Sequence, residues 1–76
     1  MMFVKHRQAY TQPAGFRIDL LLDGDSRAWR FVNGRLSHGN WPLDSWAEWA
    51  RFEAALGSTP TTAELPLEWN GAVVVP

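Results

Sequence analysis

The chain of 76 residues contains no cysteine, so neither a disulfide framework nor a cysteine-based zinc site can reinforce its fold. No stretch approaches the roughly 20 apolar residues of a membrane span. The start Met1-Met2-Phe3-Val4-Lys5 also lacks the long apolar core of a signal peptide. With no Asn-x-Ser/Thr acceptor either, the cytoplasm is the expected compartment. Enzyme signatures are missing too: there is no Gly-x-Gly-x-x-Gly, no Gly-Lys-Ser/Thr phosphate loop, no Gly-x-Ser-x-Gly elbow and no His-Glu-x-x-His helix. The expectation is a non-enzymatic protein with no catalytic residue, no cofactor and no bound metal.

What is present suits one folded unit. Hydrophobic residues make up 46% and charged residues 20%, inside the globular range. A chain this short buries only about 60% of the surface its unfolded form exposes, which leaves room for a single domain over 1–76. The net charge of −1 argues against wholesale attraction to nucleic acid, but it is unevenly placed. Residues 1–38 carry six basic and three acidic side chains, whereas residues 39–76 carry only Arg51 against Asp44, Glu48, Glu53, Glu64 and Glu68. Such a dipolar chain can orient a partner or a second copy of itself.

Phe3-Val4-Lys5-His6-Arg7 has β character and ends at the turn residues Thr11-Gln12-Pro13-Ala14-Gly15. Phe16, Ile18, Leu20 and Leu22 then alternate with Arg17, Asp19, Leu21 and Asp23, which predicts a strand with the first set facing the core. A two-residue loop at Gly24-Asp25 would pair Leu20 with Trp29 and Ile18 with Phe31, both inward, with Asp19 facing Arg30 outward. Asn33-Gly34 predicts a second tight hairpin, with Leu36 opposite Phe31 and His38 opposite Trp29. These strands form a meander.

Ser45-Trp46-Ala47-Glu48 fits a capping box opening a helix that runs to Leu56, with Gly57 suited to the left-handed residue beyond its end. Trp46, Trp49, Phe52 and Leu56 share one apolar arc with Ala50 at its edge. Glu53 falls inside that arc and must pair or reach the rim. Residues 58–66 read as a linker, with a helical turn allowed at Pro60. Beyond it, either a hairpin at Asn70-Gly71 or a single strand at Val73-Val74-Val75 is expected, and that apolar strand is itself a candidate contact edge. The predicted class is α+β: an antiparallel meander of four to five strands packed on one amphipathic helix.

Few residues suggest chemistry. His6, His38 and Asp44 would form a metal or acid-base site only if strands one and four were neighbours, and the simpler reading is packing and surface roles. Ser37 and His38, adjacent on a strand, should point to opposite faces, which removes a hydrolase pair. Glu48 and Glu53 diverge by about 140° around the helix and cannot share a substrate.

Two binding readings remain. Lys5, Arg7, Arg17 and Arg30 beside Tyr10 would give an exposed sheet face suited to a protein surface or, alternatively, to phosphates with base stacking. Five tryptophans are more than a small core readily absorbs. With Trp29, Trp46 and Trp49 assigned inside, Trp41 and Trp69 become candidate interface anchors, or residues that close the ends of the core. The candidate partner-binding set is therefore Lys5, Arg7, Arg17, Arg30, Trp41 and Trp69.

The order of pieces resembles the small anti-CRISPR proteins that phages direct against type I surveillance complexes. The matching features are the Met-x-Phe-x-Lys start, the apolar strand into Leu22-Asp23-Gly24, Arg30 leading to Val32-Asn33-Gly34, and Leu43-Asp44-Ser45 opening a helix that closes at Gly57. The resemblance covers about three quarters of the chain and implies an inhibitor in the host cytoplasm that docks its sheet face on the guide-RNA complex and blocks target hybridisation. Family members dock with sheet tyrosines and an acidic residue. Those positions hold His6, Leu21 and Val32 here, so the docking side chains are not kept. The expected partner is a protein, with a nucleic-acid-binding module as the alternative and a homodimer as a third arrangement.

Overall fold

The structure, a computed structural model, describes residues 2–61 and 68–69, with backbone alone at 2–3, 61 and 68–69. Strands β1 (Met2–Thr11), β2 (Arg17–Asp23), β3 (Ala28–Val32) and β4 (Arg35–Trp41) form the antiparallel meander. Helix α1 (Leu43–Ala55) follows, then β5 (Thr59–Thr61) and β6 (Glu68–Trp69). The sheet order is β4-β3-β2-β1-β5, and β6 also pairs with β1. The α+β class and the meander on one helix are as the sequence predicts.

The β2–β3 connection departs from expectation, and the consequences reach across the sheet. Asp23 Oδ1 accepts the amides of Asp25 (2.8 Å) and Arg27 (2.9 Å), while the Asp23 amide donates to the Arg27 carbonyl. This side-chain capture adds Ser26 to the loop, at φ 61°, giving a three-residue turn in place of two. Pairing moves by one residue, to Leu20↔Arg30 and Leu21↔Trp29. A one-residue slip exchanges the faces of every side chain. Trp29 and Phe31 thus lie on the face away from the helix, with Val4, Leu21 and Leu36, and Arg30 lies on the helix side.

Both faces of β2 are consequently buried. Ile18 and Leu20 pack with Tyr10, Val32, Trp46, Trp49 and Ala50 under the helix, while Leu21 belongs to the cluster on the opposite face. Phe16, expected inside, is about half exposed at the edge of the β1–β2 turn. The Asn33-Gly34 hairpin holds as predicted, with φ of 50° and 83° and Leu36 opposite Phe31. Beyond it β4 bulges twice, so His38 pairs with Arg30 instead of Trp29.

Gly39 in β4 is fitted to the displaced tryptophan. A Cβ there would stand 2.8 and 3.0 Å from Trp29 ring atoms. Gly39→Ala should cost about 1–3 kcal/mol by overpacking, read as a lower thermal midpoint. An unchanged midpoint would show that Trp29 is not seated against this strand.

Helix α1 starts two residues before the expected cap. Pro42, extended at φ −60° and ψ 154°, is the N-cap residue, no side chain caps it, and Ser45 donates its amide to the Pro42 carbonyl. The capping box of Ser45 and Glu48 is therefore not formed, because both lie inside the helix. The far end matches expectation. Gly57 (φ 78°) donates to Ala54 and Ser58 donates to Glu53, the paired bonds of a Schellman ending.

The helix is also rotated from the predicted arc. Glu53, 1% exposed, accepts two hydrogen bonds from Gln12 Nε2 (3.1 and 2.9 Å) and one from Ser58 Oγ (2.8 Å), with Arg30 Nη2 at 4.0 Å. The expectation that Glu53 pairs is met. Seating this carboxylate turns Phe52 and Leu56 outward, to 56% and 44% exposure.

The expected linker contributes a strand. Thr59–Thr61 pairs with Ala9–Thr11, and Pro60 sits opposite Tyr10 where no helical turn forms. Proline is tolerated at such an edge position. The two residues of β6 pair as Met2↔Trp69 and Phe3↔Glu68. The alternatives at Asn70-Gly71 and Val73–Val75 lie outside the described residues.

Candidate protein-binding surface

The basic outer face expected from the sequence is assembled only in part. Arg7 lies on the face away from the helix with its side chain 7% exposed, bonded to the buried Asp19 (Nε 2.9 Å, Nη2 2.8 Å). Arg17, on that same face, is half exposed and donates to Asp19 from Nε (3.1 Å) and Nη2 (3.2 Å). Arg30 is on the helix side, donating to Ser37 Oγ at 2.9 Å near Glu53. Lys5, exposed at the β1 bulge, donates to Ser26 Oγ. Only the departure of Arg30 follows from the slipped register, while Arg7 and Arg17 keep the outer face and converge on Asp19.

Two buried groups show the electrostatic result. Burial pushes the Asp19 carboxyl above its ordinary value, and the Arg17 charge and hydrogen bond pull it back in part. Tyr10, the expected stacking platform, is buried and faces the helix. Burial, and secondly the Glu53 charge, raise its phenol above the ordinary value.

The tryptophans separate differently. Trp41 is 43% exposed, and its ring stands 4.9 Å from His38 and 5.6 Å from Trp49, while His38 and Trp49 are 5.3 Å apart. The three rings form one mutually packed cluster between α1 and β4. Their contact leaves no gap for a cation between the rings, which distinguishes the cluster from an aromatic cage. Trp69 is placed by its backbone in β6, and its side chain lies outside the described residues. Trp46 packs on the other flank of the helix, edge-on to His6 at 5.1 Å, and its buried indole N–H has no hydrogen-bond partner among the described residues.

The cluster fills the seam between α1 and β4, here termed the groove. Trp49, Phe52 and Leu56 fall within about 60° of one another around the helix, on the flank toward β4. Phe52 and Leu56 therefore extend the exposed apolar strip from Trp41 along the helix, whereas Leu43, 51% exposed at the helix start, lies about 180° around the helix from Phe52 and outside the strip. The other wall is β4, which among the described residues pairs only with β3. Its edge is irregular: Asn40 sits at φ 63°, and Arg27 bonds both its side chain (2.8 Å) and its carbonyl (2.6 Å). Bulges and fixed left-handed residues blunt an edge against strand addition. The β4 wall therefore presents side chains and not an open strand edge.

Bulging also overturns the separation of Ser37 from His38. Ser37 Oγ lies 2.8 Å from His38 Nδ1 and accepts from Arg30. No carboxylate contacts the imidazole among the described residues, and Trp41 and Trp49 pack against its ring. The pair orients His38 within the cluster. His6 and His38 are apart, at Trp46 and at Trp41 respectively, and no metal-ligating group of three is found among the described residues. No helix among them is long and apolar enough to cross a membrane.

Of the six candidate residues, the groove gathers only Trp41. Sequence reasoning missed His38, Phe52 and Leu56 as its companions. The signal was Glu53: seating an acid in the apolar arc requires a neighbouring apolar position to turn outward. No protein-family model, curated protein or solved structure matches the chain.

Proposed function

We propose that this chain is a non-enzymatic protein-binding domain and that its contact surface is the aromatic groove between α1 and β4. The carrying observation is Trp41, nearly half exposed yet held in place by His38 and Trp49. An ordered, solvent-facing indole loses little freedom on association, and such side chains dominate the energetics of protein interfaces. The pairing of Arg7 and Arg17 with Asp19 and the placing of Arg30 on the helix side, with Tyr10 buried, favour this reading over the nucleic-acid module.

The finer reading is a phage inhibitor of the anti-CRISPR type, and it is carried by the sequence resemblance. Docking would then differ from the family's sheet-face mode, since Leu21 is fully buried and Val32 packs beneath the helix. The groove takes its place.

The test mixes the protein with a purified type I surveillance complex and measures co-elution and target-DNA binding. Co-elution with loss of DNA binding is expected, weakened at least about tenfold by Trp41→Ala as an interface anchor. Failure to co-elute overturns the finer reading. Binding to random-sequence DNA or RNA that falls steeply with salt overturns the protein-binding reading itself.

A further inference from the structure

We propose that the groove is closed, when no other partner occupies it, by a second copy of this chain in an isologous dimer with the two helices antiparallel. The inference rests on the groove being the binding surface, and it adds an occupant and an orientation. Three observations lead there.

The first is size. Trp41, Phe52 and Leu56 are 43%, 56% and 44% exposed. Taking the side chains at their usual areas, the strip presents on the order of 300 Å² of apolar surface, a size at which the largest patch of a soluble monomer is often functional. Two such strips form the dry centre of a standard interface of about 800 Å² per partner once a polar rim is added.

The second is charge along the groove. Trp46 stands beside His6, and Glu53 is bonded to Gln12, so α1 runs in the same direction as β1 and opposite to β4. Asp44 and Glu48 consequently lie toward the Trp41 end. Arg35 lies at the other end, opposite Val32 and on the helix side of the sheet with it. All three are exposed and make no ion pair among the described residues. A two-fold axis across the middle of the groove brings the acidic end of one copy onto Arg35 of the other, twice per dimer. An axis along the groove would set like charges together. The antiparallel arrangement also opposes the helix dipoles favourably.

The third is the edge of β4. Its bulges and the pinned Asn40 prevent a continuous strand ladder between copies, so the dimer must form through side chains.

Sedimentation equilibrium from about 1 μM to 1 mM tests the proposal. A doubled mass is expected, and Phe52→Glu, at a half-exposed site that leaves the core intact, should weaken association at least about 100-fold. Arg35→Glu and Glu48→Lys should each weaken it roughly three- to tenfold, and the double variant should recover most of the loss. A monomer throughout, or a dimer indifferent to Phe52→Glu, overturns the dimer. A double variant no better than the singles overturns the antiparallel arrangement. If the wild type stays monomeric while Phe52→Glu still abolishes binding to another protein, the dimer fails and the groove reading stands. A dimer sensitive to Phe52→Glu, in a chain whose binding to other proteins is unaffected by it, gives the reverse.

Discussion

Asp19→Ala should lower stability by about 3 kcal/mol and the thermal midpoint by more than about 10 °C, a large share of what a domain of this size possesses. The variant removes a 2% exposed carboxylate from beside the Arg7 guanidinium, which is itself sequestered from water. Replacing both residues by apolar ones of similar volume should recover much of the loss, since a buried pair costs desolvation on both sides. Titration gives a second readout. The Asp19 carboxyl is held above its ordinary value, chiefly by burial, so its contribution favours the fold at low pH and fades as pH rises through the raised value. Asp19→Asn cannot titrate and should lack that slope in a stability–pH curve. A midpoint within about 2 °C of wild type for Asp19→Ala would show that the pair does not hold the outer face together.

Glu53→Ala is expected to cost about 3 kcal/mol by a different route. It strips Gln12 and Ser58 of a buried, charged acceptor while leaving the Schellman bonds, which use the Glu53 carbonyl, intact. Glu53→Gln, keeping size and one acceptor oxygen, should cost less. Tyr10 reports on the same site, because it is the only tyrosine and its ionisation can be followed by absorbance. Its raised phenol favours the fold below about pH 10 and loses that advantage as pH rises through the raised value. In Glu53→Gln the midpoint should fall but stay above about 10, since burial is the larger cause. A midpoint unmoved by Glu53→Gln would separate the two groups.

The sequence made some of this architecture legible because certain signals are local. Asn33-Gly34 supplies both left-handed residues of a tight hairpin, and Gly57 supplies the one that ends the helix. The Ile18/Leu20 alternation and the need to pair Glu53 also depend on few residues. The β2–β3 register does not: it turns on Asp23 capturing two amides, a contest between loops of two and three residues that composition alone leaves open. That single step misplaced Trp29, Phe31 and Arg30 together. The run Leu20-Leu21-Leu22 carried the missing clue, since three consecutive apolar residues on a strand need cover on both faces. The candidate site was legible only at Trp41. Its remaining members depend on the rotation of the helix and the bulges of β4, which arise from packing across the whole sheet.

Ile18 through Leu22 are buried without interruption, so the centre of β2 has no outward position at which substitutions can accumulate harmlessly. A strand covered on one face has such positions at every second residue. Sequence change in this domain is therefore channelled into the turns, the outer flank of α1 and the β4 edge. The last two border the groove, so its surface can change while the fold stays unaltered.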